Sequence, residues 1–200
     1  PLPFWYPPLE EAATDLAAYP LNAITQRPMA MYHSWDSQNA WLRQIHSHNY
    51  LHVNPLTAQA AGLDAGGWCW VESHWGKVRC MIRYSEAVEP GTVWTWNAIG
   101  KADGAWQLAP GADEARKGFL LNHLITEELP FAGARGGKTI SNSDPVTGQA
   151  GWYDVRVRIR PAEPEEAEET FPQIASMPAP PGVLGQAASV LTYFAGRKSS

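Results

Sequence analysis

Cysteine is scarce: two in 200 residues, Cys69 and Cys80. Two thiols make no disulfide framework, and a zinc site built on them would need histidines at a finger-like spacing that the sequence does not contain. Both lie on the arms of a predicted hairpin. With its turn centred on Trp75-Gly76, Cys80 faces Val71 rather than Cys69, so no disulfide is expected and the redox compartment stays open. Cations are few and dispersed, 15 Lys and Arg against 20 Asp and Glu for a net charge of −5. Without a basic cluster to meet phosphates, no nucleic-acid partner is expected. No apolar run approaches the roughly 20 residues that span a bilayer, so no direct membrane insertion is expected either. Catalytic motifs are missing too: there is no Gly-x-Ser-x-Gly, no phosphate-cradling glycine loop and no carboxylate pair set up for acid–base work. Asp36, Asp64 and Asp144 read as turn or capping residues. These exclusions leave a binding domain.

What the chain has in quantity is tryptophan, proline and glycine, with ten Trp and 17 each of Pro and Gly. Short alternating runs predict strands at 21–25, 51–53, 68–74, 77–84, 93–96 and 153–160, the last with Val155, Val157 and Ile159 inward and Arg156, Arg158 and Arg160 outward. Helices are predicted from Glu10 to Ala18, from Ser37 as N-cap through Trp41, Leu42 and Ile45, and from Asp113 to Leu121. Asn54-Pro55 opens a further helix through Ala61, with asparagine at the N-cap and proline at the first turn. Several short strands with few short helices predict a closed β-barrel with helical decorations. Residues 1–18 form a proline- and aromatic-rich extended arm and 19–160 the domain. Residues 161–200 are an acidic proline–glutamate linker and a tail, whose apolar run Val183 to Phe194 would form a docking helix or a frayed end. The chain opens at Pro1, from which we expect it to be a piece of a longer polypeptide.

Polar side chains concentrate in the loops. His33, with Arg27, Ser34, Ser37, Gln38 and Asn39, follows the first strand, and Ser141 to Gly151 leads into the last, where ligands are commonly held at the lip of a sheet. A metal site from His33, His46, His48 and His52 is not favoured, because His46 and His48 at i, i+2 share no helix face. The tryptophans read as core plus a contact surface for another domain. The alternative is a carbohydrate- or peptide-binding β-module that stacks its ligand on surface tryptophans.

Taken in order, the loop residues resemble a known pattern. Thr25-Gln26-Arg27 is similar to a Thr-Gly-Arg loop, followed by His33-Ser34. Val53-Asn54-Pro55 with Ala58, Ala60 and Gly62-Leu63 is similar to a "His/Asn-Pro…Ala…Gly-Leu" helix entry, and the hairpin from Asp64 to Val78 follows it. Asn122-His123-Leu124-Ile125 is similar to "Asn-x-Leu-Thr", and Asp144-Pro145-Val146-Thr147 to "Asp-Pro-Leu-Ser". From about Tyr19 to Arg160 the chain therefore resembles the C-terminal molybdopterin-dinucleotide-binding domain of the dimethyl sulfoxide reductase family of molybdenum and tungsten oxidoreductases. Gln26 in place of glycine and a longer, glycine-rich segment from Pro130 to Thr139 depart from the pattern.

The resemblance implies a mainly β, six-stranded, closed double-psi β-barrel with short flanking helices, holding a bis-molybdopterin guanine dinucleotide between itself and upstream domains. It implies cofactor-binding roles for Thr25, Gln26, Arg27, His33, Ser34, Asn54, Asn122, His123 and Asp144. The hydroxyl, amide, imidazole and carboxylate groups meet pterin and guanine edges, while Arg27 meets pyrophosphate or a pterin carbonyl. It places the ligand to molybdenum or tungsten, and any iron–sulfur cluster, upstream or on a partner, so no residue here is expected to be catalytic or metal-binding. The implied partners are a membrane anchor subunit together with an iron–sulfur subunit. The implied substrate is a small molecule such as a sulfur oxyanion or polysulfide. The implied setting is a bacterial membrane, on its cytoplasmic or periplasmic face with the cytoplasmic face preferred.

Overall fold

In the computed structural model, six strands close into a barrel in the order β1-β5-β2-β4-β3-β8. The structure describes residues 8–97, 99, 117–130, 139–144, 146–150 and 155–163, together with Pro3 and Trp5. The strands are β1 (Leu21–Gln26), β2 (Leu51–Val53), β3 (Trp68–Glu72), β4 (Lys77–Tyr84), β5 (Thr92–Trp96) and β8 (Val155–Pro161). A separate hairpin pairs β6 (Glu128–Pro130) with β7 (Thr139–Ser141). β1 runs parallel to β5 and β2 parallel to β4, while the other neighbours are antiparallel. The chain hops over β5 between β1 and β2, and over β2 between β4 and β5. These two crossover connections within a closed six-stranded barrel agree with the double-psi expectation.

The interior follows from alternation: Leu21, Ala23, Leu51, Val53, Val71, Val78, Ile82, Val93, Val155 and Val157 are all buried in one cluster, with Phe119, Leu121 and Leu124 from the segment before β6. Each such Leu or Val taken fully out of water contributes about 1.5–3 kcal/mol. On the outer face, Glu72 of β3 bridges Arg158 at 2.7 Å and Arg160 at 2.9 Å on β8. Lys77 lies over the Trp70 ring and Arg79 over Trp68.

Several expectations shift. The β3–β4 turn is His74-Trp75, closed by Ser73 N–H donating to the Gly76 carbonyl at 2.8 Å, one residue earlier than expected. That slip pairs Cys69 with Cys80. The two remain free thiols, their sulfurs 3.8 Å apart in the core. Ser37 does not cap a helix; it lies inside a 3-10 helix over His33–Gln38. Asn39 caps α2 (Ala40–Ile45), accepting from the N–H groups of Trp41 and Leu42. Trp41 and Ile45, at the i, i+4 spacing of one apolar face, are exposed. α1 (Leu9–Ala13) is shorter than expected, and α3 (Pro55–Ala60) stands as read, capped by Asn54. Of the helix expected from Asp113 to Leu121, residues 113–116 fall outside the described residues. Residues 117–120 are not helical, and a 3-10 helix occupies Leu121–Leu124. The acidic linker beyond Glu163, the tail and its Val183 to Phe194 run also fall outside the described residues.

The amino-terminal segment is partly pinned. Buried Glu10 accepts from the backbone N–H of Arg156, and Glu11 forms an ion pair with the Arg156 guanidinium.

Candidate functional site

Strand direction sorts the loops between two ends of the barrel. β1, β3 and β5 run one way and β2, β4 and β8 the other. One end therefore gathers the exits of β1 and β5, the β3–β4 turn, and the approaches to β2 and β8. The other gathers the exit of β2 and the approach to β5.

Thr25 and Gln26 close β1 beside Thr95 and Trp96 of β5. Arg27 follows, exposed, and makes no ion pair among the described residues; it does not reach Asp36, whose Oδ2 accepts instead from Tyr32 N–H at 2.7 Å. His33 opens the 3-10 helix with φ +47, a left-handed backbone uncommon outside glycine. Its Nδ1 faces Asn97 Nδ2 at 3.4 Å, and the Asn97 backbone N–H donates to the Gln26 carbonyl at 2.7 Å. β1 exit, His33 and β5 exit are thus tied through one asparagine. Ser34 lies one residue on, placed by its backbone in the same 3-10 helix.

Asn122 and His123 belong to the 3-10 helix that docks on the β3–β4 turn. Ser73 Oγ donates to the Leu124 carbonyl at 2.8 Å, and a Cβ on Gly76 would stand 2.6 Å from the His123 carbonyl oxygen, so only glycine admits this approach. Asn122 is exposed; burial lowers the pKa of His123, which favours its neutral form. Asp144 lies on the approach to β8. Its Oδ1 accepts from Thr147 N–H, Val146 N–H and Thr147 Oγ, and the two backbone bonds hold the carboxyl below its ordinary range. Oδ2 has no partner among the described residues. Asn142 just before it is buried, donating to the Thr126 carbonyl.

Asn54 goes to the opposite end. Its Oδ1 accepts from Leu56 N–H and its Nδ2 donates to the Val88 carbonyl, so the amide is spent on capping α3 and holding the approach to β5. It is thus engaged in local structure and stands apart from the other residues of the expected binding set, at the opposite end of the barrel. Two residues at the nearer end were not anticipated, Asn97 and Asn49. Asn49 Nδ2 donates to the Trp96 and Phe119 carbonyls, and its Oδ1 accepts from Thr95 Oγ. The only sequence signal for either is an asparagine adjoining a strand at the same end as Thr25-Gln26.

This end offers acceptors, donors and the Arg27 guanidinium around a polar rim. Among the described residues no three His, Cys, Asp or Glu side chains group so as to hold a metal ion. Residues 21–136 match the family described as the Molydopterin dinucleotide binding domain. The chain belongs to that family. Its residues fit such a ligand: directional polar groups for heterocycle edges, an exposed arginine for phosphate, and a buried acceptor on Asn97 that no group among the described residues satisfies.

Over 196 residues, 98% of its length, the chain is 66% identical to a sulfite dehydrogenase subunit of Allochromatium vinosum, covering 20% of that protein. It is 31% identical over 155 residues to "Dopamine dehydroxylase" of Eggerthella lenta, covering 13% of it. The fold is similar to that of acetylene hydratase from Pelobacter acetylenicus, with a TM-score of 0.57 at 20% identity over 80% of this chain and 21% of that one. The chain thus spans about a fifth of the first relative's length, and the resemblance to the dimethyl sulfoxide reductase family holds. Among the described residues no helix is long and apolar enough to cross a membrane. Among the described residues, Trp94 and Trp96 meet edge-on at 79°, not as a flat stacking platform.

Proposed function

We propose that this chain is the cofactor-binding domain of a sulfite-oxidising molybdenum or tungsten oxidoreductase, and that the barrel end described above holds a molybdopterin guanine dinucleotide. The observation that carries the reading is the 66% identity, along 98% of the chain, to the Allochromatium vinosum sulfite dehydrogenase protein. Thr25, Gln26, His33, Ser34, Asn122, His123 and Asp144 meet the pterin and guanine edges, and Arg27 meets the pyrophosphate or a pterin carbonyl. Asn54 is left out of this set. When bound, the cofactor supplies the metal-centred redox chemistry; these residues orient it and exclude water.

Residues 19–160 are the binding unit, with 1–18 as an arm and 161–200 as linker and tail. The cofactor is of the bis type, enclosed between this barrel and the remainder of a longer polypeptide. Exposed Met29, Tyr32, Trp35, Trp41 and Ile45 on the β1–β2 connection favour such enclosure, because large apolar side chains gain by being covered. A membrane anchor subunit together with an iron–sulfur subunit completes the enzyme on the cytoplasmic face of a bacterial membrane.

The test is the purified full-length protein, assayed for molybdenum and tungsten, for released pterin, and for sulfite-dependent reduction of an artificial electron acceptor. Bound metal with sulfite turnover is the expected result. Protein from a cofactor-competent host that contains no pterin overturns the binding role; pterin-loaded protein inert toward sulfite overturns the substrate.

A further inference from the structure

We infer that Asn97 is a further ligand-binding residue of this barrel end, its side-chain oxygen accepting a hydrogen bond from an N–H of a 2-amino-4-oxo heterocycle; this rests on the function proposed above. Asn97 Oδ1 is buried and has no hydrogen-bond partner among the described residues, whereas the rest of the residue is held: the backbone N–H donates to the Gln26 carbonyl at 2.7 Å and Nδ2 faces His33 Nδ1 at 3.4 Å. A buried amide oxygen left unpaired is costly, and most such groups in folded proteins are satisfied. This one stands at the exit of β5, one residue past the Gln26–Trp96 pair, and is joined to His33. The left-handed backbone at His33 belongs to the same arrangement, since it presents the ring to Asn97. An acceptor fixed from two sides and aimed at no donor among the described residues is preorganised for one brought by a ligand. Pterin and guanine share the amino-oxo pyrimidine edge that would bring it.

Asn97→Leu in the full-length protein tests the assignment, because leucine keeps the volume and removes the orphan acceptor. Pterin released per protein is expected to fall about 3- to 10-fold, the range for one lost hydrogen bond. The cofactor-free form, made in a host unable to synthesise molybdopterin, is expected to melt at the same temperature or higher, since an unsatisfied buried group has gone. Titrating that form with GDP identifies the source. Weakened GDP binding in the variant assigns the contact to guanine, and unchanged GDP binding with lowered pterin content assigns it to the pterin. Unchanged pterin content overturns the proposal, as does lowered content together with a lower melting temperature of the cofactor-free form, which marks Asn97 as structural. Arg27→Ala run in parallel separates the two readings: lowered pterin content there, with Asn97→Leu unaffected, removes Asn97 and leaves the binding role standing.

Discussion

Arg27 is the residue whose role depends least on its protein neighbours. It is exposed, has no ion pair among the described residues, and precedes Pro28, which restricts the backbone of Arg27 itself. A charge-assisted contact from such a group to phosphate contributes about 1.5–3 kcal/mol. Arg27→Ala should therefore lower metal and pterin content about tenfold or more while leaving the melting temperature of the cofactor-free form unchanged; metal content equal to wild type would remove the assignment. His52 behaves differently. It is buried, stacked on Trp94 with ring centroids 3.8 Å apart, and its Nε2 has no partner among the described residues. Burial first, and the Arg83 charge second, lower its pKa from 6.5 to about 4. Between those values the unfolded chain binds more protons than the folded one, so His52 adds stability above pH 6.5 that is lost as pH falls towards 4, on the order of 1–3 kcal/mol. Melting curves across that range should fall less steeply for His52→Phe than for wild type.

At the scale of elements, the β3–β4 hairpin is the support on which part of the candidate site rests. Its turn admits the 3-10 helix of Asn122 and His123 only because Gly76 lacks a Cβ. Gly76→Ala forces backbone against backbone and should destabilise the domain by about 1–3 kcal/mol, with cofactor content falling as well; a melting temperature equal to wild type would show that the turn yields freely. The same hairpin register sets Cys69 against Cys80 in the core. Burial, reinforced by the neighbouring thiol, pushes Cys80 well above its ordinary range, so the thiolate needed for reaction is scarce. Both thiols should resist alkylation in the native protein and react fully in denaturant; labelling at native pH with the fold intact would contradict the buried register.

For the molecule as a whole, the barrel supplies one wall of a site that the proposed function encloses from two sides. With about half of the contacts missing and the ordering cost unchanged, affinity for the cofactor collapses. Residues 1–200 by themselves should show no sulfite oxidation with artificial electron acceptors, and turnover by the purified segment would contradict the enclosure.

Sequence alone determined the alternation that builds the strands, the Asn54-Pro55 helix start, and the ordered Thr-Gln-Arg, His-Ser, Asn-His and Asp-Pro-Val-Thr loops, because these depend on period, caps and turn chemistry within a few residues. It also carried the closed six-stranded barrel, through the resemblance those loops bear to a family. Tertiary structure decided what depends on contacts between distant segments. It set the hairpin turn one residue earlier, where Ser73 N–H pairs with the Gly76 carbonyl and the 3-10 helix docks on the turn, and that slip brought the two cysteines face to face. It left Trp41 and Ile45 exposed, because the periodicity of a short helix does not say what lies opposite. It separated Asn54 from the other loop residues, since strand direction in a closed barrel decides which loops share an end. It brought Asn97, silent in the sequence, between Gln26 and His33, because the parallel pairing of β1 with β5 makes neighbours of residues some seventy positions apart.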